Sequence, residues 1–177
     1  MQTLTKNIGP LIADSGKISL AYAQRLIAGI SPAQFGCFAK SDGGEVISNH
    51  PAFIYGHLSL YACRIVEQLG KDASAIKPSD SYVQLFSHTA TCVNDAEGSL
   101  YPPMEELVER VMTSYQAAID ALLDSEDTLF LVPNANEAMR SKFATNGSMH
   151  AFYIGGHFMY HMGQVSAWRR MMGLGPA

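Results

Sequence analysis

Four long segments of this chain carry apolar residues at the three- and four-residue spacing of an α-helix. They cover residues 4–30, 50–70, 102–125 and 148–172. Such spacing gathers the apolar side chains on one helical face, which has to be buried against another element. No two segments alternate apolar and polar residues in the way that half-buried strands do. We therefore predict an all-α fold in which a four-helix bundle forms a single domain over residues 1–177.

Proline and capping residues mark where these helices begin. Pro51 begins the second helix, with Asn49 or His50 as its cap, and Pro102-Pro103 begins the third. Proline suits the first helical position because no helical hydrogen bond needs its missing N–H. In Asn146-Gly147-Ser148, the Asn-Gly pair indicates a turn and the serine is a good N-cap for the fourth helix.

The connections between the helices differ in length. The longest, residues 71–101, joins the second and third helices and is expected to contain a short helix near 82–87. This connection allows those two helices to run parallel, so a simple up-and-down order is not required. We expect a loop at 36–49, a short apolar run at 129–132 that could be a strand without a partner, and one or two helical turns within 136–143.

Composition and charge exclude several classes of function. The formal net charge is −4 and the largest basic cluster is Arg169-Arg170, which argues against a nucleic-acid partner. No run of about 18 apolar residues predicts a membrane span, and residues 1–6 do not resemble the start of a secretory signal. Cys37, Cys63 and Cys92 are widely spaced and form no C-x-x-C motif, which indicates reduced thiols and a cytoplasmic location.

A pair of histidines lies near the C-terminus, in the stretch Gly156–Gln164. His157 and His161 are four residues apart, so they share one face of the predicted fourth helix. Two imidazoles at this spacing can bind one transition-metal ion, and a third from another helix would complete a site with open positions. The same spacing also fits two buried, hydrogen-bonded side chains, so both interpretations stay open on spacing alone.

Axial distance separates the other histidines from this pair. His150 shares the face of His157, but seven residues of helix place it roughly 10 Å along the axis, too far for one ion with bonds of about 2.0–2.1 Å. The same argument separates His50 from His57 on the second helix, and His50 is expected at the helix start. His88 and Cys92 are also four residues apart, but they lie in the irregular connection and are not expected to bind metal.

Several short stretches together resemble a known family. They are His50–Leu58 with its Gly-His-Leu, Pro133–Glu137, Gly156–Gln164 with its H-x3-H-x-G-Q, and Trp168–Leu174. Their order and separation resemble the DinB-like (DinB/YfiT) superfamily over nearly the whole chain. This resemblance implies a four-helix bundle whose three motif histidines form a divalent metal site. Carried over by position, these residues are His57, His157 and His161.

The resemblance also implies a range of functions. Family members with known activities include thiol-dependent S-transferases and a thiol-dependent isomerase, which use the metal to hold a thiolate. We therefore expect a metal-dependent enzyme that activates a low-molecular-weight thiol or water against a small electrophile, with zinc or nickel as the metal. The alternative is a non-catalytic, stress-related bundle protein that binds a metal or a ligand. A homodimer is expected by family analogy.

Gln164 is the remaining candidate at the site. It lies close to His161 along the predicted helix, so its side chain can hydrogen-bond a ligand histidine or a bound water. A simple hydrogen bond between helices explains it equally well. Trp168, in the same helix, is expected in the core or at a dimer interface.

Overall fold

The computed structural model describes residues 6–177. This part of the chain is mostly helical, with 59% helix and 5% strand. This confirms the all-α class. The α-helices, in chain order, are α1 (Ile8–Leu26), α2 (Pro32–Phe35), α3 (Pro51–Leu58), α4 (Ala62–Gln68), α5 (Asp80–Phe86), α6 (Met104–Leu123), α7 (Asp127–Leu131), α8 (Asn146–Ala151) and α9 (Phe158–Met171). Two 3-10 helices (Ser74–Ile76 and Glu137–Met139) and one π-helix (Phe152–His157) complete the helical segments.

Helix α1 is shorter than the predicted 4–30, and Leu4 lies outside the described residues. Its start approaches the end of α6 closely, since a Cβ on Gly9 would lie 2.0 Å from the carbonyl oxygen of Leu122. Its far end is held by the buried side chain of Arg169, whose Nη1 donates to the carbonyls of Leu26 (2.7 Å) and Ala28 (2.6 Å). A cation is favourable there because the last carbonyls of a helix lack partners and carry partial negative charge.

The predicted second helix is two helices, α3 and α4, with a break at residues 59–61. The hydroxyl of Ser59 donates to the carbonyl of Gly56 at 2.7 Å, and the next two backbone amides bond three residues back. The start is as expected, because Nδ1 of His50 accepts from the backbone N–H of Phe53 at 3.3 Å. Despite the break, the apolar faces of α3 and α4 are buried in the same core.

Two connecting segments differ from expectation. The predicted loop at 36–49 contains a short antiparallel hairpin of β1 (Ala39–Ser41) and β2 (Gly44–Val46). The run at 129–132, considered as a strand, is largely helical in α7. A strand there would leave its backbone groups unpaired, whereas the helix satisfies them and buries Phe130. The short helix expected near 82–87 is present as α5.

Helix α6 confirms the third predicted helix, and its stripe of Leu107, Val111, Tyr115, Ala118 and Leu122 is buried. The fourth helical segment begins earlier than expected. Its N-cap is Thr145, whose hydroxyl accepts from the amide of Ser148 at 3.2 Å, so Asn146-Gly147 is the first helical turn rather than a separate turn.

These helices surround a shared apolar core. Helix α1 packs on α6, α9 and the π-helix, α4 packs on α6, and α3 packs on α5, α6 and α9. Trp168 is among the largest fully buried side chains. Within residues 6–177, none of the helices has both the length and the apolar content needed to cross a membrane.

Candidate metal centre

The structure brings together the three histidines selected from the sequence. His57 lies in the last turn of α3, His157 ends the π-helix and His161 lies in the first turn of α9. One ring nitrogen from each lies within 4.8 Å of the others. Donors this close reach a common ion through small rotations of the rings. His57 and His161 are buried and His157 is partly buried, so the group could hold a metal ion away from bulk water.

Close contact between α3 and α5 sets the orientation of His57. A Cβ on Gly56 would lie 2.2 Å from the ring of Phe86, so only glycine permits this approach. The carbonyl oxygen of Phe86 is thereby 2.7 Å from Nδ1 of His57. Because a carbonyl can only accept a hydrogen bond, Nδ1 carries the proton and Nε2 presents a lone pair.

Gln164 orients His161 in a similar way. Its Oε1 lies 2.8 Å from Nδ1 of His161, as the sequence suggested for one of its two roles. With the amide oxygen as the acceptor, Nδ1 of His161 carries the proton and Nε2 presents its lone pair. Metal-binding histidines commonly donate their second N–H to such a partner, which fixes the ring.

His157 lacks a comparable support. Its Nδ1 is buried without a hydrogen-bond partner among the described residues, while its Nε2 lies 3.2 Å from Nε2 of His161. If Nδ1 carries the proton, two lone pairs face each other. If Nε2 carries it, a buried acceptor at Nδ1 is unsatisfied. Such unsatisfied buried groups are uncommon and call for an explanation.

Burial keeps these imidazoles neutral. It lowers the pKa of His157 to about 3, with additional lowering by His161 and His57. Burial also lowers the pKa of His161 to about 4, against the opposing effect of the hydrogen bond that His161 donates to Gln164, and it lowers the pKa of His57. A neutral imidazole is the form that binds metal.

These observations fit a transition metal. Two nitrogens bound to one zinc ion at about 2.0–2.1 Å and a tetrahedral angle lie about 3.3 Å apart, and the two Nε2 atoms here are 3.2 Å apart. A cation between them would accept both lone pairs and remove the repulsion. Three nitrogen donors suit zinc, nickel, copper or iron and do not select among them.

Tyr61 also belongs to the site, although the sequence pattern marks it only as one of the apolar residues of the predicted second helix. Its hydroxyl lies 3.2 Å from Nε2 of His57, and its ring centroid is 4.7 Å from that of His157. Burial raises its pKa to about 12, so the hydroxyl keeps its proton and donates. The spacing of four residues from His57 was a usable signal, since such residues share a helical face.

A cavity of about 710 Å³ reaches the cluster. It is bounded by α4, the start of α5, the segment around residues 136–142 and the π-helix. Tyr61, Tyr153 and His157 are among its lining residues, and Arg64, Lys77 and Lys142 are the cations of its wall. The cavity is large enough for a small organic molecule.

The other candidate residues lie elsewhere. His50 caps α3 and its Nε2 donates to the carbonyl of Val93 at 2.9 Å. His150 is fully buried, and its Nε2 contacts Oε1 of Gln68 at 2.8 Å, not the cluster. His88 is exposed at the cavity wall, and burial raises the pKa of Cys92 to about 11, which keeps that thiol protonated.

The chain matches no family model and no curated protein. The resemblance to the DinB-like superfamily therefore stays a prediction, and the chemical argument depends on the geometry of the three histidines.

Proposed function

We propose that His57, His157 and His161 bind one divalent transition-metal ion, and that the chain is a metal-dependent enzyme acting on a small electrophile. The observation that carries the proposal is a group of three neutral imidazoles that adjoins a cavity of about 710 Å³. Zinc or nickel is the metal that we propose. When bound, such an ion lowers the pKa of a coordinated water or thiol and polarises a carbonyl.

The chain supplies the positioning. The carbonyl of Phe86 and the amide of Gln164 hold two imidazole rings with their Nε2 lone pairs directed to the common centre. Three protein ligands leave at least one coordination position for a thiol or a water, as catalytic zinc sites do. A structural zinc site normally has four protein ligands, so the set of three favours catalysis.

Tyr61 provides a hydrogen-bond donor beside that open position. Its hydroxyl points at Nε2 of His57 and keeps its proton, because burial raises its pKa to about 12. Once Nε2 of His57 is engaged, the hydroxyl can donate to a sulfur or oxygen atom that enters the cavity. The aromatic rings of Tyr61 and Tyr153, stacked at 4.8 Å between centroids, limit the access of water to this atom.

We further propose the assembly that the family resemblance implies. The four helical units of this bundle would be α1, the pair α3 and α4, α6, and the segment α8 to α9. Leu11 and Ile18 are 74% and 64% exposed on one face of α1, seven residues apart, which supports a homodimer through this surface. A monomer in sedimentation would contradict the dimer without affecting the metal site.

A non-catalytic role is the second candidate. His57 is held by α5, and His157 and His161 belong to the last helical segment, so an ion would link parts of the chain that are far apart in sequence. A metal with this structural role would make the protein strongly dependent on it for stability. A large loss of melting temperature on chelation favours the structural role, and retained stability favours the catalytic one.

The test of catalysis is a comparison of reloaded proteins. Zinc- and nickel-loaded chain is assayed for thiol transfer to 1-chloro-2,4-dinitrobenzene and for hydrolysis of 4-nitrophenyl acetate, beside His157→Ala and the control Lys40→Ala, whose residue is exposed and does not line the cavity. The proposal expects metal-dependent turnover of at least one compound that His157→Ala loses and Lys40→Ala keeps. Equal rates in all three proteins would contradict it.

A further inference from the structure

The cavity beside the histidines has a distinctive charged residue in its wall. Arg64 lies in α4, three residues after Tyr61, and its guanidinium carbon is 5.5 Å from the centre of the Tyr61 ring. Among the residues that the structure describes, no carboxylate is within ion-pair distance of this guanidinium. Its N–H donors are therefore available to a molecule in the cavity.

The other charged residues that line the cavity differ from Arg64 in their partners or their position. The ammonium of Lys77 pairs with the carboxylate of Glu67 at 3.4 Å. Asp80 lies in the first turn of α5, where the helix dipole favours a carboxylate. Lys142 also lines the cavity. Arg64 is thus the cation connected to the metal centre through an aromatic contact, since its partner Tyr61 touches both His57 and His157.

We propose that this cavity binds a small organic carboxylate and that Arg64 binds its carboxylate group. A guanidinium presents paired N–H donors that match the two oxygens of a carboxylate, and stacking on an aromatic ring holds its plane in place. A monoanion is favoured over a dianion such as a phosphate monoester, because Glu67 and Asp80 line the same cavity. The inference rests on the proposed function and specifies the class of substrate.

The test uses the full chain loaded with cobalt, in which binding of a thiolate to the metal produces a charge-transfer absorption band. The probes are ω-mercapto acids with one to five methylene groups and the corresponding ω-mercapto amides. The proposal expects the best acid to bind about tenfold or more tightly than its amide. The length of the best acid reports the distance from the metal to Arg64.

Two variants identify the residue responsible. Arg64→Gln is expected to reduce the acid-to-amide preference to within about twofold, while the amides bind as they do to the wild type. Arg25→Gln is the matched control, because Arg25 is also exposed and also lies over a tyrosine ring, that of Tyr22 at 4.9 Å, away from the cavity. The control is expected to keep the preference.

The outcomes separate the two proposals. A thiolate band without any preference for acids overturns the role of Arg64 and supports the metal site. If Arg64→Gln still binds the acids more tightly than the amides, the role of Arg64 is likewise overturned and the metal site is supported. If no thiol produces a band, the thiol-activating function is contradicted. The carboxylate proposal is then decided by calorimetry of the monoanion butyrate and its amide butyramide on wild type and Arg64→Gln, and equal heats for the two compounds would refute it.

Discussion

The hydroxyl oxygen of Tyr61 lies 3.2 Å from Nε2 of His57. This nitrogen carries no proton, because the proton of the neutral ring is on Nδ1, which donates to the carbonyl of Phe86. The hydrogen bond therefore occupies the lone pair that a metal would use. Metal binding has to break this bond, and the hydroxyl becomes available to another acceptor. In the proposed function, Tyr61 therefore competes with an incoming ion for Nε2 of His57, and once an ion is bound its hydroxyl would be free to donate to a group at the open coordination position.

Removing this hydroxyl should strengthen metal binding. A net contribution of about 1 kcal/mol for one hydrogen bond predicts that Tyr61→Phe binds zinc about fivefold more tightly. Tyr160→Phe is the control, since Tyr160 also contacts a histidine of the cluster but is 67% exposed. Competition with a zinc chelator measures both affinities. Weaker binding by Tyr61→Phe would mean that the phenol is itself a ligand, and the competition described here would be wrong.

Gln164 should matter through His161. Gln164→Leu removes the acceptor for Nδ1 of His161, so the ring is no longer fixed in the orientation that directs Nε2 to the site. Loss of such a partner typically lowers metal affinity about 10–100-fold. The exposed Gln24→Leu provides the control in the same chelator titration. An unchanged affinity in Gln164→Leu would leave this residue with only a structural hydrogen bond.

The contact between α3 and α5 should be sensitive to a single methyl group. Gly56→Ala would place its Cβ against the ring of Phe86, so α5 has to shift, and with it the carbonyl that orients His57. We expect a loss of about 1–3 kcal/mol in the free energy of unfolding together with weaker zinc binding.

The control for this substitution lies in α9. A Cβ on Gly163 meets no atom within 4 Å, so Gly163→Ala is expected to stabilise the helix by about 0.5–1 kcal/mol. Urea unfolding of both variants measures the difference. If the two substitutions have effects of the same sign and size, close packing at Gly56 does not position the site.

The sequence predicts those features of the structure that depend on residues close together in the chain. The caps and helix ends at His50, Pro51 and Pro103 were readable because they depend on neighbouring residues. The three histidines were selected by helical spacing and by family resemblance, and the structure groups them. The supporting carbonyl of Phe86 could not be found in this way, because it is a backbone atom delivered by tertiary packing.

The irregular parts have the same explanation. The π-helix at Phe152–His157 accompanies a close approach to α1, where a Cβ on Gly155 would lie 2.4 Å from Oγ of Ser15. The break at residues 59–61 divides a segment whose apolar spacing is continuous. Burial of Phe130 favours helix α7 over a strand. The π-helix and α7 depend on contacts with distant parts of the chain, and the break has a local hydrogen bond from Ser59 to Gly56; apolar spacing within one segment reveals none of these.

His150 should make stability depend on pH. Burial lowers its pKa to about 4, whereas an unfolded histidine has a pKa of about 6.5. Between these values the unfolded chain binds a proton that the folded chain excludes, so the folded state loses stability as the pH falls from about 6.5 to 4. His150→Gln should reduce this loss by up to about 3 kcal/mol. Chemical unfolding of metal-free protein at several pH values tests this, and parallel curves for the two proteins would refute it.

The central claim is that three histidines bind one metal ion, and the metal content of the protein tests it most directly. Untagged chain, purified without an affinity column and analysed by inductively coupled plasma mass spectrometry, is predicted to hold about one zinc or nickel ion per chain after reloading and dialysis. His157→Ala should lose it and His88→Ala should keep it. Wild-type protein without stoichiometric metal, or equal metal content in wild type and His157→Ala, would contradict the account.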